Sequence, residues 1–425
     1  MNSVPANEPW LDTVPADWPP SRIRNVAQLS PSYSDGAPTP DELCTVVPME
    51  LLSESGEIDA SSQQAAEDIS GGLTLFEPGD VLFAKITPCM ENGKGAFVGA
   101  LPTRYAFGST EFHVLRPRHC VAGKFLYYYT FNPTYRAYAA ENMSGAAGQK
   151  RVSSRFLKDT RLFLPPVSEQ TRIAAYLDAS CAAMDAAVAA KRQQLETLDT
   201  LRRTVIQECV TKGLDPKVQT APGIDWLPQI PKHWAVAKLK RHTQMIRGQF
   251  SHRPRSDPAF YGGPYPFIQT GSISAADKFI SEFTQTLNED GLRISKLFPA
   301  GTVVMTITGA KIAEVAVTSF EACFPDSIVG FVPDHRLVRD YLYYLLVAMK
   351  PALLRAMVVT TQPNLNYVQI GGNYIPLPSV QEQELIVEQI EQRLDDIKKI
   401  RLSIEAQIDT LTAYRKSLIH ECVTG

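Results

Sequence analysis

A fixed offset of 213 residues constrains this chain more than any other feature. Glu169 and Glu382, Leu198 and Leu411, and Arg202 and Arg415 are each 213 positions apart, and "CVT" at 209–211 recurs at 422–424. Upstream the offset drifts. Trp18 and Trp234, each in Pro-x-x-Trp, are 216 apart, and Lys94 and Lys311 are 217 apart. "LFEPGDVLFAKIT" (75–87) echoes "LFPAGTVVMTIT" (297–308), and "KFLYYY" (124–129) echoes "DYLYYL" (340–345). Loops of unequal length produce such drift between two copies of one unit. Two long copies are too few for a solenoid, so the pattern is a tandem duplication.

Each copy ends in a long helix with a narrow apolar seam. Leu177, Cys181, Met184, Val188, Lys191, Leu195, Leu198, Arg202, Val205 and Cys209 alternate steps of three and four. Ile390, Leu394, Ile397, Arg401, Ile404, Ile408, Leu411, Arg415, Leu418 and Cys422 repeat that register. This is the heptad pattern of a coiled coil. Ser168 is placed to cap the first helix and Gly213 to end it. Some 45 residues of helix span about 65–70 Å. A long, narrow seam asks for a helix of similar length, so the two helices are expected to pair antiparallel. The globular bodies would then sit at opposite ends, related by an approximate two-fold axis. The alternative is that each helix packs on its own body.

Strand-type runs ("DVLFAKI", "FHVLRP", "VVMTIT", "IVGFVP") mix with helical stripes ("GKFLYYYTFNPTYRAYAAENM", "RDYLYYLLVAMKPALLRAM"). The fold class is therefore α/β: two tandem globular domains joined by two long helices. The expected segments are 1–164 (first domain), 165–213 (central helix), 214–224 (linker), 225–377 (second domain) and 378–425 (terminal helix). The aromatic stripes read as core.

Composition suits an ordinary soluble protein, with 44% hydrophobic and 20% charged residues. The first residues show no basic and apolar signal-peptide pattern, and no stretch reads as the roughly 18 apolar residues of a membrane span. Seven scattered cysteines without Cys-x-x-Cys favour reduced thiols in the cytoplasm, and no histidine spacing suggests a metal. The net charge of −3 conceals an uneven distribution. Residues 1–78 hold 13 acids against Arg22 and Arg24 and read as solvated surface, with a face toward a basic patch on a partner as the alternative; residues 79–161 carry a net charge of +7. A basic lobe of this kind suits phosphates.

Polar loops interrupt both domains. In the first, Lys85, Thr87, Asn92 and Lys94 lie in "AKITPCMENGKG" (84–95). Ser109, Thr110 and Glu111 lie in "FGSTEF" (107–112), and Gln149, Lys150 and Arg151 in "GAAGQKRVSS" (145–154). In the second, Arg247, Gln249 and Arg253 lie in "RGQFSHRPR" (247–255), and Gln269, Thr270 and Ser272 in "FIQTGSI" (267–273). Thr306, Thr308 and Lys311 lie in "TITGAKI" (306–312), Asp326 in "FPDSIVGF" (324–331) and Gln362 in "TTQPNLN" (360–366). Gln, Asn, Arg, Lys, Ser and Thr are the residue types that read donors and acceptors in the major groove or hold phosphates.

Catalytic motifs fail on inspection. Around Gly93-Lys94 a P-loop would need Gly where Pro88 stands and Ser or Thr where Gly95 stands. "NPTY" (132–135) lacks the second proline of an amino-methyltransferase motif and has no Gly-rich loop before it. Asp326 has no Glu-x-Lys at nuclease spacing, and neither Gly-x-Ser-x-Gly nor His-Glu-x-x-His occurs. The chain is not expected to be an enzyme.

"GDVLFAKITPCMENGKGAFV", "FGSTEFHVLRP", "GQKRVSSRFLKDTRLFLPPVSEQTRI", "PYPFIQTGSI" and "NYIPLPSVQEQELI" together resemble the specificity subunits of type I restriction–modification systems. The resemblance covers nearly the whole chain. It implies two target-recognition domains, each reading one half of a bipartite double-stranded DNA site, and two helical regions that form an antiparallel coiled coil and set the gap. It implies two modification subunits that methylate adenine with S-adenosylmethionine. It also implies that restriction subunits, where present, bring ATP- and Mg-dependent translocation and cleavage. No membrane is involved. Because "TGAKIAEVAV" and "FPDSIVGF" depart from the first copy, the halves of the site should differ. A coiled-coil scaffold that holds partner proteins and ignores DNA shares the repeat and is the competing reading.

Overall fold

The structure is a computed structural model and describes residues 11, 14–32, 36–69, 71–146, 148–215, 217–252, 256–309, 311–355 and 364–425. The chain forms two compact units, residues 1–192 with 405–425, and residues 193–404. Both are α/β.

The first unit is built on an antiparallel sheet in the order Ala27–Leu29, Phe112–Pro117, Val81–Ala84, Gly95–Phe97. Its second strand-pair register is Leu82 opposite Ala96. Val81 and Phe83 point to one core, Leu82 and Ala84 to another. A strand buried on both faces reads as a continuous apolar run, which is why "VLFA" shows no alternation. On one face lie the helices Gly123–Phe131 and Pro133–Glu141, with Phe125 and Tyr129 fully buried. On the other lies a second sheet, Gln63–Ala65, Leu43–Val47, Ala106–Gly108, Thr74–Phe76, with one parallel pairing. The single long helix expected from "GKFLYYYTFNPTYRAYAAENM" is two helices, because Asn132-Pro133 ends one and starts the next. Asn132 caps the new start by accepting from Thr134 N at 3.0 Å, so "NPTY" is helix punctuation.

The second unit repeats the sheet and helices. Its strands Thr243–Arg247, Ile328–Pro333, Val303–Thr306 and Val315–Thr318 run in the same order, with Val304 opposite Ala316. Val303 and Met305 face the helical core and Val304 the opposite one. The register corrects one pairing suggested by sequence spacing. Ala96 and Ala316 correspond, so Lys94 matches Glu314, and Lys311 falls where the two loops differ in length. The loop between these strands is two residues shorter in the second copy. The outer layer has diverged. In place of the four-stranded sheet stand short pairs such as Tyr261–Pro266 with Thr286–Leu287, and the helix Thr270–Ala275. The segment read as linker contains the strand Thr220–Ile224, which pairs with Leu227–Pro231.

Each long helix starts from a buried glutamine. The central helix is Val167–Lys212 and the terminal helix Val380–Thr424. Gln170 Oε1 accepts from Ala122 N at 2.8 Å, and its Nε2 donates to the Cys120 and Pro165 carbonyls at 3.1 and 2.8 Å. Gln383 repeats this with Val338 N, Arg336 O and Pro378 O at 2.8, 2.9 and 3.0 Å. Both are wholly buried. The expected cap does not form at Ser168, which lies inside the first turn; in the second copy Ser379 caps by accepting from Glu382 N. Gly213 does end the central helix, at φ 73°, with its N–H donating to Cys209 O.

The helices pair antiparallel within each unit. In the first unit Leu177, Cys181 and Met184 share a core with Leu418, Ile419 and Val423, Lys191 donates to Gln407, and Arg415 lies 3.5 Å from Asp185. In the second, Val205 and Cys209 share a core with Ile390 and Ile397, and Arg401 pairs with Asp199. All twenty seam positions are buried or half-buried, Val188, Leu195, Leu198, Leu394, Ile408 and Leu411 among the half-buried. One window in the central helix contradicts the expectation that no stretch suits a span: by length and composition it qualifies, at mean hydropathy 1.3. Nine alanines within residues 173–190 supply that value. There Leu177 is core and Asp178 and Asp185 face Lys124 and Arg415.

Two stability predictions follow from these contacts. Gln170→Met keeps the volume but takes the partner from one N–H and two carbonyls, the Pro165 carbonyl among them buried. It should destabilise the chain by about 2–4 kcal/mol in urea unfolding, whereas the exposed Gln193→Met should stay within about 0.5 kcal/mol. Ile404 is 8% exposed and Leu402 56% exposed. Ile404→Asp should therefore cost more than about 3 kcal/mol, and Leu402→Asp within about 0.5 kcal/mol.

Candidate nucleic-acid interface

Three loops of the first unit meet at one end of its central sheet. The strand Val81–Ala84 runs out into residues 85–87, which lie between the ends of two other segments. Lys85 N donates to Glu111 O at 2.9 Å, and Val152 N donates to Lys85 O at 2.8 Å. Ile86 bridges Arg151, and Thr87 N donates to Lys150 O at 3.0 Å. This junction brings together Lys85, Thr87, Ser109, Thr110, Glu111, Gln149, Lys150 and Arg151, which lie as far as 66 residues apart in sequence. Gly145 turns the chain into it at φ 133°; a side chain there would meet the Gln149 carbonyl at 2.8 Å.

The side chains at the junction are held in different ways. Arg151 makes a two-pronged ion pair with Glu111, Nη2 to Oε1 at 2.7 Å and Nε to Oε2 at 3.0 Å, and its Nη1 donates to Gln149 O at 3.1 Å. The hydrogen bonds from Arg151 hold the Glu111 carboxyl below the usual carboxylate range. Lys85 Nζ donates to Thr110 O at 2.6 Å. Ser109 Oγ accepts from Glu111 N at 3.2 Å. Beneath them His113 Nε2 donates to Val152 O at 2.9 Å, and burial pushes its pKa down. Gln149 and Lys150 are exposed.

Two expected residues lie elsewhere. Lys94 Nζ donates to Met49 O at 2.8 Å and ties the strand loop to the helical turn that follows the outer strand Leu43–Val47. Asn92 lines a cavity of about 900 Å³ with Glu54, Arg136, Asp185 and Arg415. Arg136 is a residue that sequence reasoning missed. Its guanidinium donates to the Thr130, Met90 and Lys94 carbonyls at 3.0, 2.9 and 3.2 Å and packs 4.8 Å from the Phe83 ring. Burial pushes its pKa down to about 10, so it stays charged at neutral pH. By gripping two carbonyls of the 84–95 loop it fixes the approach to the junction. An arginine amid the buried aromatic stripe of "TYRAYAA" was the available signal.

The second unit builds the same junction. Ile307 N donates to Ser327 O at 2.9 Å, Leu365 N donates to Ile307 O at 2.8 Å, and Thr308 bridges Asn364. These are the counterparts of Lys85–Glu111, Val152–Lys85 and Ile86–Arg151. Only the backbone pattern is kept: Asn364 stands for Arg151, Ser327 for Glu111 and Asp326 for Thr110. Arg247 Nε donates to Asp326 O at 2.7 Å, which adds an arginine to this rim. Gln249 N donates to Phe324 O, and Gln269 Nε2 donates to Gln285 Oε1 at 3.0 Å, so both belong to the outer layer beside it. Thr270 and Ser272 lie in the short helix of that layer. Lys311 is exposed on the strand loop. Thr306 is fully buried, contrary to its expected surface role: its hydroxyl donates to Lys311 O at 2.7 Å and accepts from Glu314 N at 3.0 Å, closing the loop from inside. Arg253 and Gln362 lie outside the described residues.

Comparison with known proteins places this architecture. Residues 70–197 and 251–408 match the family model for the type I restriction modification DNA specificity domain. The chain is 33% identical over 164 residues to the type I restriction enzyme EcoAI specificity subunit of Escherichia coli, covering 38% of this chain and 27% of that protein. It likewise spans 27% of the length of the EcoEI specificity subunit of the same organism. A putative MjaX specificity subunit of Methanocaldococcus jannaschii is 21% identical over 98% of this chain and 95% of its own length. Among solved structures, a chain of a type I R-M system described for its complex assembly and conformational transition superposes with a TM-score of 0.77 at 18% identity, covering 97% of this chain and 99% of that one. The HsdS subunit of Thermoanaerobacter tengcongensis superposes at 0.59 and 20%, covering 97% and 98%. These likenesses share the fold of tandem domains and long helices. On the family match, which takes in both copies of the repeat, the chain belongs to the type I restriction modification DNA specificity domain family.

Proposed function

We propose that this chain is the DNA-recognition subunit of a type I restriction–modification complex. Each unit reads one half of a two-part, asymmetric site on double-stranded DNA. The paired helices set the gap between the halves and carry two modification subunits, which methylate adenine with S-adenosylmethionine. Where restriction subunits join, ATP- and Mg-dependent translocation and cleavage are theirs. The chain itself does no chemistry, and its setting is the cytoplasm, where the DNA is.

The observation that carries this reading is the junction built twice on one backbone pattern with different side chains. Arg151 with Glu111 in one unit, and Asn364 with Ser327 in the other, present different donors and acceptors from equivalent places. A duplicated scaffold that varies its polar rim suits two different base sequences. The net charge of +7 over residues 79–161 supplies the phosphate attraction that all DNA binding needs. A scaffold indifferent to DNA would have no use for a polar rim rebuilt in each copy.

In a footprint, the purified complex should protect two short tracts separated by roughly one helical turn, about 34 Å. One continuous tract, or equal affinity for random fragments, would count against the proposal. The Lys150 side chain is exposed and makes no hydrogen bond to the described residues. Lys150→Ala should weaken binding about equally on all sequences and make the salt slope shallower by about 1. An unchanged slope would remove Lys150 from the phosphate contacts.

A further inference from the structure

Arg151 keeps donors that the fold does not use. A guanidinium carries five N–H groups. Glu111 takes the Nε–H and one on Nη2, and the Gln149 carbonyl takes one on Nη1. One N–H therefore remains on each terminal nitrogen, and no described residue accepts either. The side chain is 42% exposed. The two-pronged grip of Glu111 holds the plane of the group and so limits where these two donors can point.

The chemistry selects what this pair would meet. Guanine offers two acceptors, O6 and N7, side by side on its major-groove edge, and an arginine fork matches them. A phosphate is the weaker match, because the Glu111 carboxylate beside the fork opposes a second anion. Lys150 next to it carries no such neighbour and suits the phosphate role. In the second unit the equivalent place holds Asn364 with Ser327, which form no fork.

We propose that Arg151, positioned by Glu111, reads one guanine in the half-site of the first unit, and that the second unit has no such contact. This rests on the DNA-recognition reading, and the two are separable by experiment. The target motif is read from modified adenines in DNA of the source cells. The complex, purified through a tag on this chain, is then titrated with duplexes in which each guanine of the motif is replaced singly by 7-deazaguanine, which lacks the N7 acceptor. For the unmodified complex one guanine should be sensitive, with binding weakened about 3–10-fold. With Arg151→Ala that replacement should change binding by less than about 1.5-fold, while the other half-site keeps its sequence preference. Arg151→Lys, which retains the charge and loses the fork, serves the same purpose if the alanine variant does not assemble. A motif without guanine, no sensitive guanine, or one equally sensitive in the variants overturns the Arg151 assignment alone. Equal binding of motif and random duplexes by the unmodified complex overturns the recognition reading itself.

Discussion

The buried amides of Gln170 and Gln383 each satisfy a backbone N–H and two carbonyls where a long helix leaves its domain. A side chain with no exposure and three backbone partners has one workable position, so the direction in which each helix sets out is determined at its first turn. Neither helix could be redirected without breaking these bonds, and each buried group left unpaired would cost about 1–3 kcal/mol. Pairing along the seam depends on that start. It also explains why the same Glu-Gln pair occurs twice in the sequence: the glutamine is the joint. The glutamate diverges in use, and in the second copy Glu382 accepts from Trp234 Nε1 at 2.9 Å.

Around this joint the two units keep geometry and exchange charges. In the first, Lys124 pairs with Asp178 across the domain helix and the central helix. The equivalent positions in the second are Asp340 and Glu391, two acids that would repel. Lys278, just before a strand Phe279–Ile280 that joins the central sheet parallel to Val315–Thr318, bridges both at 3.4 and 2.5 Å and lies over the Tyr344 ring. The lysine has moved to another segment while the neutralised pair remains in place. The central sheet behaves the same way, with Leu82 opposite Ala96 and Val304 opposite Ala316 on strands buried on both faces. Strands buried on both sides tolerate little change, whereas the outer layer has one face free to vary.

That division of labour suits recognition. A constant sheet and helix pair position a backbone junction whose side chains differ between copies, so two sequences can be read from one scaffold. Arg136 shows how the rigidity is obtained: a buried cation, without a carboxylate, ties two carbonyls of the loop to one of the domain helix, between aromatic rings. Support from below of this kind keeps a reading side chain such as Arg151 in one geometry, which discrimination between bases requires.

Much of this was legible in the residues alone. The 213-residue offset implied two units, and the steps of three and four marked twenty positions that are buried or half-buried, because a helix places such positions on one face whatever surrounds it. Other features depended on contacts distant in the chain. The register that pairs Lys94 with Glu314, and not with Lys311, depends on which strand residues lie opposite one another. The burial of Thr306, the use of Lys94 within the fold and the partnership of Glu111 with Arg151 across 40 residues arise only when separate loops converge. Local spacing determines which face of an element is apolar. Which polar side chains are left over to face a ligand is decided by what the folded chain has already bonded to itself.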